Sequence, residues 1–263
     1  MTINRRTFLH SAAAMSTLTI IPFAARAEAH MGDSFETDMG TVTIHPVHHA
    51  SIVMETPAGV IYVDPVGDAT EYEGLPAPDL ILITHEHGDH YNAETLSALK
   101  PADKPVAIYT NPAVYDMLNE DLKPSAEAMA NGDTKTFADV TIDAIPAHNV
   151  TEDRLNFHPK GRDNGYVLTM GDFRIYISGD TEPTPEMEGL TDIDLAFLCM
   201  NLPFTMTAEQ AAEATKAFKP KVVYPYHFRG RDGGTQDPQA YAGMVGDVSE
   251  VKIADWYKPG ELG

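Results

Sequence analysis

The sequence predicts a single α/β domain over residues 28–263, with sheets inside and helices outside. Three observations carry this reading. The 263 residues are 43% hydrophobic and 22% charged, ordinary globular usage that allows a substantial core. From residue 40 onward, apolar strand-like runs alternate with turns, and short helices punctuate them. No linker, low-complexity tract or short-period repeat divides the chain.

Taken in order, "TVTIHPVHHASIVMET" and "GVIYVDPVGD" read as paired strands, with Pro57, Ala58 and Gly59 turning between them. "DLILITH" is a continuous apolar run, as expected of a strand buried on both faces. "NAETLSALK" follows as a short helix capped by Asn92, and "PVAIYT" as another buried strand. "PAVYDMLNE" is a helix opened by Pro112. "TKTFADVTIDAIPAH", "NGYVLTMGDFRIYISGD" and "IDLAFLCM" supply further strands, with "MGD" as a hairpin turn that includes Asp172. "TAEQAAEATKAFK" is the clearest helix: Thr207 and Gln210 form a capping box, and Pro220 stops it. "VVYPYHF" then gives a strand and "QDPQAYAGMVGD" a last helix.

Charge and cysteine content narrow the function classes. With 18 basic and 39 acidic residues the formal net charge is −21, which argues against nucleic acid as a partner. The single cysteine, Cys199, rules out an intramolecular disulfide and a thiolate-rich structural zinc site. Residues 1–27 carry Arg5 and Arg6, an uncharged stretch from Ser11 to Ala25, and a small-residue site, "ARA", ending at Ala27. That stretch is too short and too rich in Ala, Ser and Thr to span a bilayer, so it reads as an export signal removed from the mature chain. "NRRTFLH" resembles the twin-arginine signal, which implies passage through the twin-arginine export machinery, already folded, into the periplasm. No stable membrane anchor is expected in the mature form.

The strongest functional signal lies at strand ends. Asp64, His85, His148, Asp180 and His227 each close an apolar run, and functional groups gather where loops leave a rigid sheet. His and Asp are the ligands a borderline cation such as Zn2+ accepts. Within "HEHGDH", His85 and His87 are two apart and point the same way in an extended segment. Gly88 then permits a tight turn that swings Asp89 and His90 toward a neighbouring ion.

The H-x-H-x-D-H pattern of residues 85–90, with Asp64, His148, Asp180 and His227 at similar spacings, resembles the five motifs of the metallo-β-lactamase-fold hydrolases. The resemblance covers roughly residues 40–257 and implies a four-layer αββα sandwich. It implies two divalent metal ions, Zn2+ foremost, with Mn2+ and Fe2+ as alternatives. The first ion would take His85, His87 and His148, and the second Asp89, His90 and His227, with Asp180 bridging. A hydroxide generated on the ions would attack the substrate. Asp89 and His227 are the expected catalytic residues, and Asp89 would orient the water or pass a proton to the leaving group. Asp64 is expected to hold a ligand from behind. His49 is expected to contact a ligand or substrate, a structural hydrogen bond being an equal alternative. Adjacent histidines on a strand face opposite sides, so at most one of His48 and His49 should face the site. His45 and His158 are expected in surface or loop positions, and Met200, Phe204 and Met206 are expected to pack, with pocket lining as the alternative.

Departures from the family's branches narrow the chemistry. Antibiotic-hydrolysing relatives carry cysteine where this chain has Asp180, and di-iron redox relatives carry glutamate where it has His87. "HHASIVME", "YVDP" and "MNLPFTMTAEQAAEATKAFKPKVVYPYHF" are similar to the branch of ascorbate-6-phosphate lactonase-like proteins. The expected activity is hydrolysis of an ester or lactone bond in a small substrate that can carry an anionic group. The alternatives are a phosphodiesterase acting on small phosphodiesters and a non-catalytic periplasmic metal-binding protein. Basic residues cluster in two loops, Arg154, Lys160 and Arg162 after His148, and Arg229 and Arg231 after His227. They are the candidates for binding a substrate phosphate or carboxylate.

Overall fold

A computed structural model describes residues 32–258, so the export-signal reading of residues 1–27 lies outside the described residues. Two seven-stranded sheets organise the chain. The first carries β1 (Asp33–Thr37), β2 (Gly40–His48), β3 (Ser51–Thr56), β4 (Gly59–Val63), β5 (Leu80–Ile83), β6 (Ala107–Thr110) and β7 (Ala126–Ala128), in sequence order across the sheet. The second carries β8 (Thr134–Phe137), β9 (Val140–Ala147), β10 (Asp163–Met170), β11 (Phe173–Ile177), β12 (Leu195–Cys199), β13 (Val222–Tyr226) and β14 (Glu250–Val251), again in order. In each sheet four strands meander antiparallel, and the rest are added in parallel from the fourth.

Period-two alternation explains the layers. In β5, Leu80 and Leu82 join the large core between the sheets, while Ile81 and Ile83 join a second cluster on the other face. That outer cluster is covered by α1 (Ala93–Leu99) and α2 (Pro112–Met117), through Leu96 and Val114. Across the molecule, α4 (Ala208–Phe218) and α5 (Pro238–Val245) bury Ala211, Ala212, Phe218, Tyr241 and Val245 in the large core cluster. Thr215 and Tyr241 share a buried 2.7 Å hydrogen bond between these two helices. A short α3 (Pro185–Glu188) precedes β12. The result is two mixed sheets with flanking helices, the αββα layering expected from the sequence.

Local signals behave as the sequence indicates. Asn92 caps α1, Asn111 caps α2 ahead of Pro112, and Thr207 with Gln210 forms the capping box of α4. One run differs. "TVTIHPVHHASIVMET" is two strands, because His49 adopts φ 51° and turns β2 back into β3. The β2–β3 pairing also shifts register between Pro46 and His48. Strands β1, β7 and β14 were not anticipated; they are edge strands with little buried apolar surface of their own.

The topology places the site. The carboxyl ends of β4, β5, β9, β11 and β13 and the amino end of β10 lie along one edge. There Asn164 N donates to Thr84 O at 3.0 Å, and Tyr166 Oη to Ile83 O at 2.7 Å, tying the two sheets together.

Candidate metal centre

Asp64, the first residue past β4, is fully buried and organises the edge. Its carboxylate accepts Thr84 N at 2.7 Å, Thr84 Oγ1 at 2.7 Å and His90 Nδ1 at 2.7 Å. The Thr84 hydroxyl spends its one proton on Asp64, so His85 Nδ1, 3.0 Å from Thr84 Oγ1, must be the donor in that contact. Both His85 and His90 therefore carry their proton on Nδ1 in the neutral form and present a free Nε2 lone pair forward. Asp163 does the same for His158, accepting from its Nδ1 at 2.9 Å. The Asn201 amide braces His227 Nδ1 at 2.9 Å.

The forward atoms converge on Asp180. One carboxylate oxygen lies 3.4 Å from His90 Nε2. The other lies 3.4 Å from His158 Nε2, 3.6 Å from His227 Nε2 and 4.0 Å from His85 Nε2. His85 Nε2 also faces His87 Nδ1 at 3.0 Å. Beyond Asp180, Asp89 Oδ2 sits 3.4 Å from His227 Nε2 and 3.5 Å from His49 Nε2. Three sets of side chains bring their ligand atoms within 4.8 Å of one another: His85, His87 and His158; His85, His90 and Asp180; His49, Asp89 and His227.

This donor set fits metal ions. Nε2 of His90, His158 and His227 and Oδ1 of Asp180 are buried without a hydrogen-bond partner, an arrangement that is costly unless something binds them. Burial, with His90 nearby, pushes the His85 imidazole well below its ordinary pKa, and burial lowers His87 too, leaving both neutral as ligands must be. Burial opposes ionisation of Asp180, but His227 and His90 outweigh it and hold the carboxyl well below the usual range. His90 shows the converse: burial lowers its pKa, yet Asp180 and Asp64 raise it well above the ordinary value.

Of the expected ligands, His85, His87, Asp89, His90, Asp180 and His227 are brought together, and His148 is not. His148 sits behind the Asp180 loop, its carbonyl accepting from Glu182 N at 3.1 Å and its backbone N–H donating to Thr181 Oγ1 at 3.0 Å. The place expected for it beside His85 and His87 is taken by His158, which lies in a loop, as expected, but is fully buried there. The first histidine after β9 was the natural reading of the sequence. The signal that points to His158 is the acid five residues on: Asp163 opens a buried strand and needs a partner. His45 is also buried, its Nε2 2.8 Å from Glu55. Gly88 is not needed for the turn: its φ is not left-handed, and a Cβ there would meet nothing. The turn is closed instead by His90 N and Tyr91 N donating to His87 O.

A domain model described as the beta-lactamase superfamily domain matches residues 43–227. A UPF0173 metal-dependent hydrolase of Thermococcus onnurineus is 35% identical over 200 residues, 74% of this chain and 84% of that one. The chain belongs to the beta-lactamase superfamily, in the UPF0173 metal-dependent hydrolase family. A crystal structure from Parabacteroides distasonis, described as a candidate metal-dependent hydrolase, superposes with a TM-score of 0.76 at 38% identity. It covers 87% of this chain and all of that one. The metallo-beta-lactamase fold protein YhfI of Bacillus subtilis matches at 0.61 and 15% identity, over 86% of this chain and 94% of that one, a likeness of fold.

A cavity of about 550 Å³ opens onto the cluster, a volume suited to a small molecule. Both His48 and His49 line it, where at most one was expected, because the left-handed turn at His49 breaks strand alternation. His49 Nδ1 is fixed by Tyr257 Oη at 2.7 Å. Phe204 lines the cavity, whereas Met200 and Met206 are core residues. The five basic residues separate. Arg154 is spent on Glu182 at 2.7 Å and Arg162 on Glu86 and Asp163. Lys160 is exposed outside the cavity, and only Arg229 and Arg231 line it.

Proposed function

We propose that this chain is an exported hydrolase that holds two divalent metal ions, Zn2+ foremost, and cleaves an ester or lactone bond in a small substrate. The observation that carries it is the Asp180 carboxylate ringed by Nε2 of His85, His90, His158 and His227, with Asp89 facing His227 at the cavity. His85, His87 and His158 would hold one ion, and Asp89, His90 and His227 the other, with Asp180 shared. When bound, such ions lower the pKa of a water and polarise a carbonyl.

The chain's own groups do the remaining work. Asp89 is half exposed at the cavity. Burial opposes its ionisation, but His227 and His49 hold its carboxyl well below the usual range, so it remains an acceptor at neutral pH. In that state its carboxylate accepts a hydrogen bond from the attacking water and orients it toward the scissile carbonyl. Asn201 fixes His227 beside it, and Tyr257 fixes His49, so neither ring swings during turnover. The ester or lactone preference is supported by the chain's resemblance to lactonase-like proteins and by Asp180 standing where antibiotic-hydrolysing relatives carry cysteine.

Zn2+- or Mn2+-loaded protein, assayed on matched lactones, carboxylesters and phosphodiesters, is expected to turn over a lactone or ester, and Asp180→Ala to lose at least 100-fold (roughly,). Turnover of phosphodiesters alone would replace the ester reading with a phosphodiesterase. Tight metal binding without turnover of any class would leave a metal-binding protein. Export is supported by Arg5 and Arg6 ahead of the uncharged stretch. Arg5→Lys with Arg6→Lys should retain the precursor in the cytoplasm, as followed by fractionation; unchanged periplasmic protein would refute the route.

A further inference from the structure

Arg229 differs from Arg154 and Arg162, the two arginines of the other basic loop. Arg154 and Arg162 are neutralised by carboxylates, as described above. Arg229 lines the cavity, yet among the described residues no ion pair within 4.0 Å engages it, and its Nη1 is buried with no hydrogen-bond partner. Its position is nevertheless fixed. The guanidinium lies 4.2 Å over the Tyr257 ring, and Arg229 N donates to Tyr257 Oη at 3.3 Å. A fixed, unneutralised guanidinium in a cavity wall is an arrangement built for an anion, because leaving such a group without an acceptor is costly. Arg231, exposed at the same wall, adds a second positive charge in a chain of net charge −21.

Elsewhere in the lining the chemistry changes. Phe157 and Phe204 pack edge to face, ring centroids 5.0 Å apart, and both line the wall. This pair gives the cavity an apolar surface between the loop that carries His158 and the loop that follows β12. Asp89 and Asp180 are the carboxylates lining the cavity, and both belong to the metal centre already described.

We infer that the substrate is an amphipathic anion: a carboxylate or phosphate head received by Arg229, and an apolar body laid against Phe157 and Phe204, with the scissile bond at the metal centre. This deepens the hydrolase reading and rests on it for the scissile bond, but the recognition of the head group is testable by binding alone.

The probes are 4-phenylbutyrate, 4-phenylbutyl phosphate and the neutral 4-phenylbutyramide, titrated calorimetrically into metal-loaded and metal-free protein. At least one anion should bind about tenfold more tightly than the amide, and that preference should vanish in Arg229→Gln while binding of the amide is unchanged. The anion with the larger loss identifies the head group. Arg229→Lys, which keeps the charge, should retain some of the preference and control for folding. Lys216→Gln, on the exposed face of α4, should retain all of it. Phe204→Ala should weaken all three probes alike. An anion preference that survives Arg229→Gln, including one present only in the loaded protein, would place the anion on the metals and overturn the assignment. So would equal binding of the amide and both anions by the wild type. Neither result depends on turnover, so a failure of the hydrolase reading is distinguishable from a failure of this one.

Discussion

At the scale of single residues, what distinguishes this site is the protein behind each candidate ligand. Thr84 and Asp64 set the tautomers of His85 and His90, Asp163 sets that of His158, and Asn201 and Tyr257 fix His227 and His49. These contacts make the site's electrostatics measurable without substrate. Burial and the neighbouring His227 lower the His49 pKa to about 4, from an ordinary 6.5. Between those values the unfolded chain binds the proton and the folded one does not. The contribution to stability is therefore complete above pH 6.5 and is lost as the pH falls toward 4, up to about 3 kcal/mol. Urea unfolding of metal-free protein at a series of pH values should show a steeper acid loss for the wild type than for His49→Gln. Parallel curves would mean that His49 titrates normally in the folded chain. The same scale shows where the sequence was legible. Six of seven expected ligands converge, because each follows an apolar run that must be a strand. His158 was hidden because it precedes its strand, and its anchor Asp163 looks like an ordinary loop acid until that strand is known to be buried.

At the scale of elements, the site depends on how strands end. Gly179 lies between β11 and Asp180 with φ +60°, and a Cβ there would come within 2.6 Å of Asn164 O in β10. Substitution must either move Asp180 or push apart the segments that meet at the sheet edge. Gly179→Ala is expected to cost about 2 kcal/mol or more. Gly161 also has a left-handed φ, +88°, but a Cβ there meets nothing within 4 Å, so Gly161→Ala should cost only about 1 kcal/mol of backbone strain. Thermal unfolding of the two variants separates them; equal losses would show that contact with β10 is immaterial. The helices and their caps were readable because Asn92, Asn111, Thr207 and Gln210 are strong local signals. The turn at His49 was not, since a left-handed non-glycine residue is uncommon and no Gly, Asn or Asp marks the position. That turn is what lets His48 and His49 both reach the cavity.

At the scale of the whole molecule, two similar sheets present their strand ends along one edge, and the candidate ligands come from both. His85, His87, Asp89 and His90 follow β5 of the first sheet; His158, Asp180 and His227 come from loops of the second. Ions held between them would tie the sheets together, so metal binding and stability are coupled. Layer order was legible from strand–helix alternation, whereas the pairing of edge strands such as β1 and β14 depends on neighbours far away in sequence. The most direct test is the metal content of the chain by native mass spectrometry after loading with Zn2+ and exchange into chelator-free buffer. The wild type and His148→Ala should carry two ions per chain, and His158→Ala should carry one fewer. A wild type that retains no ion would contradict the metal centre itself. Two ions retained in His158→Ala but not in His148→Ala would contradict the assignment of its third histidine.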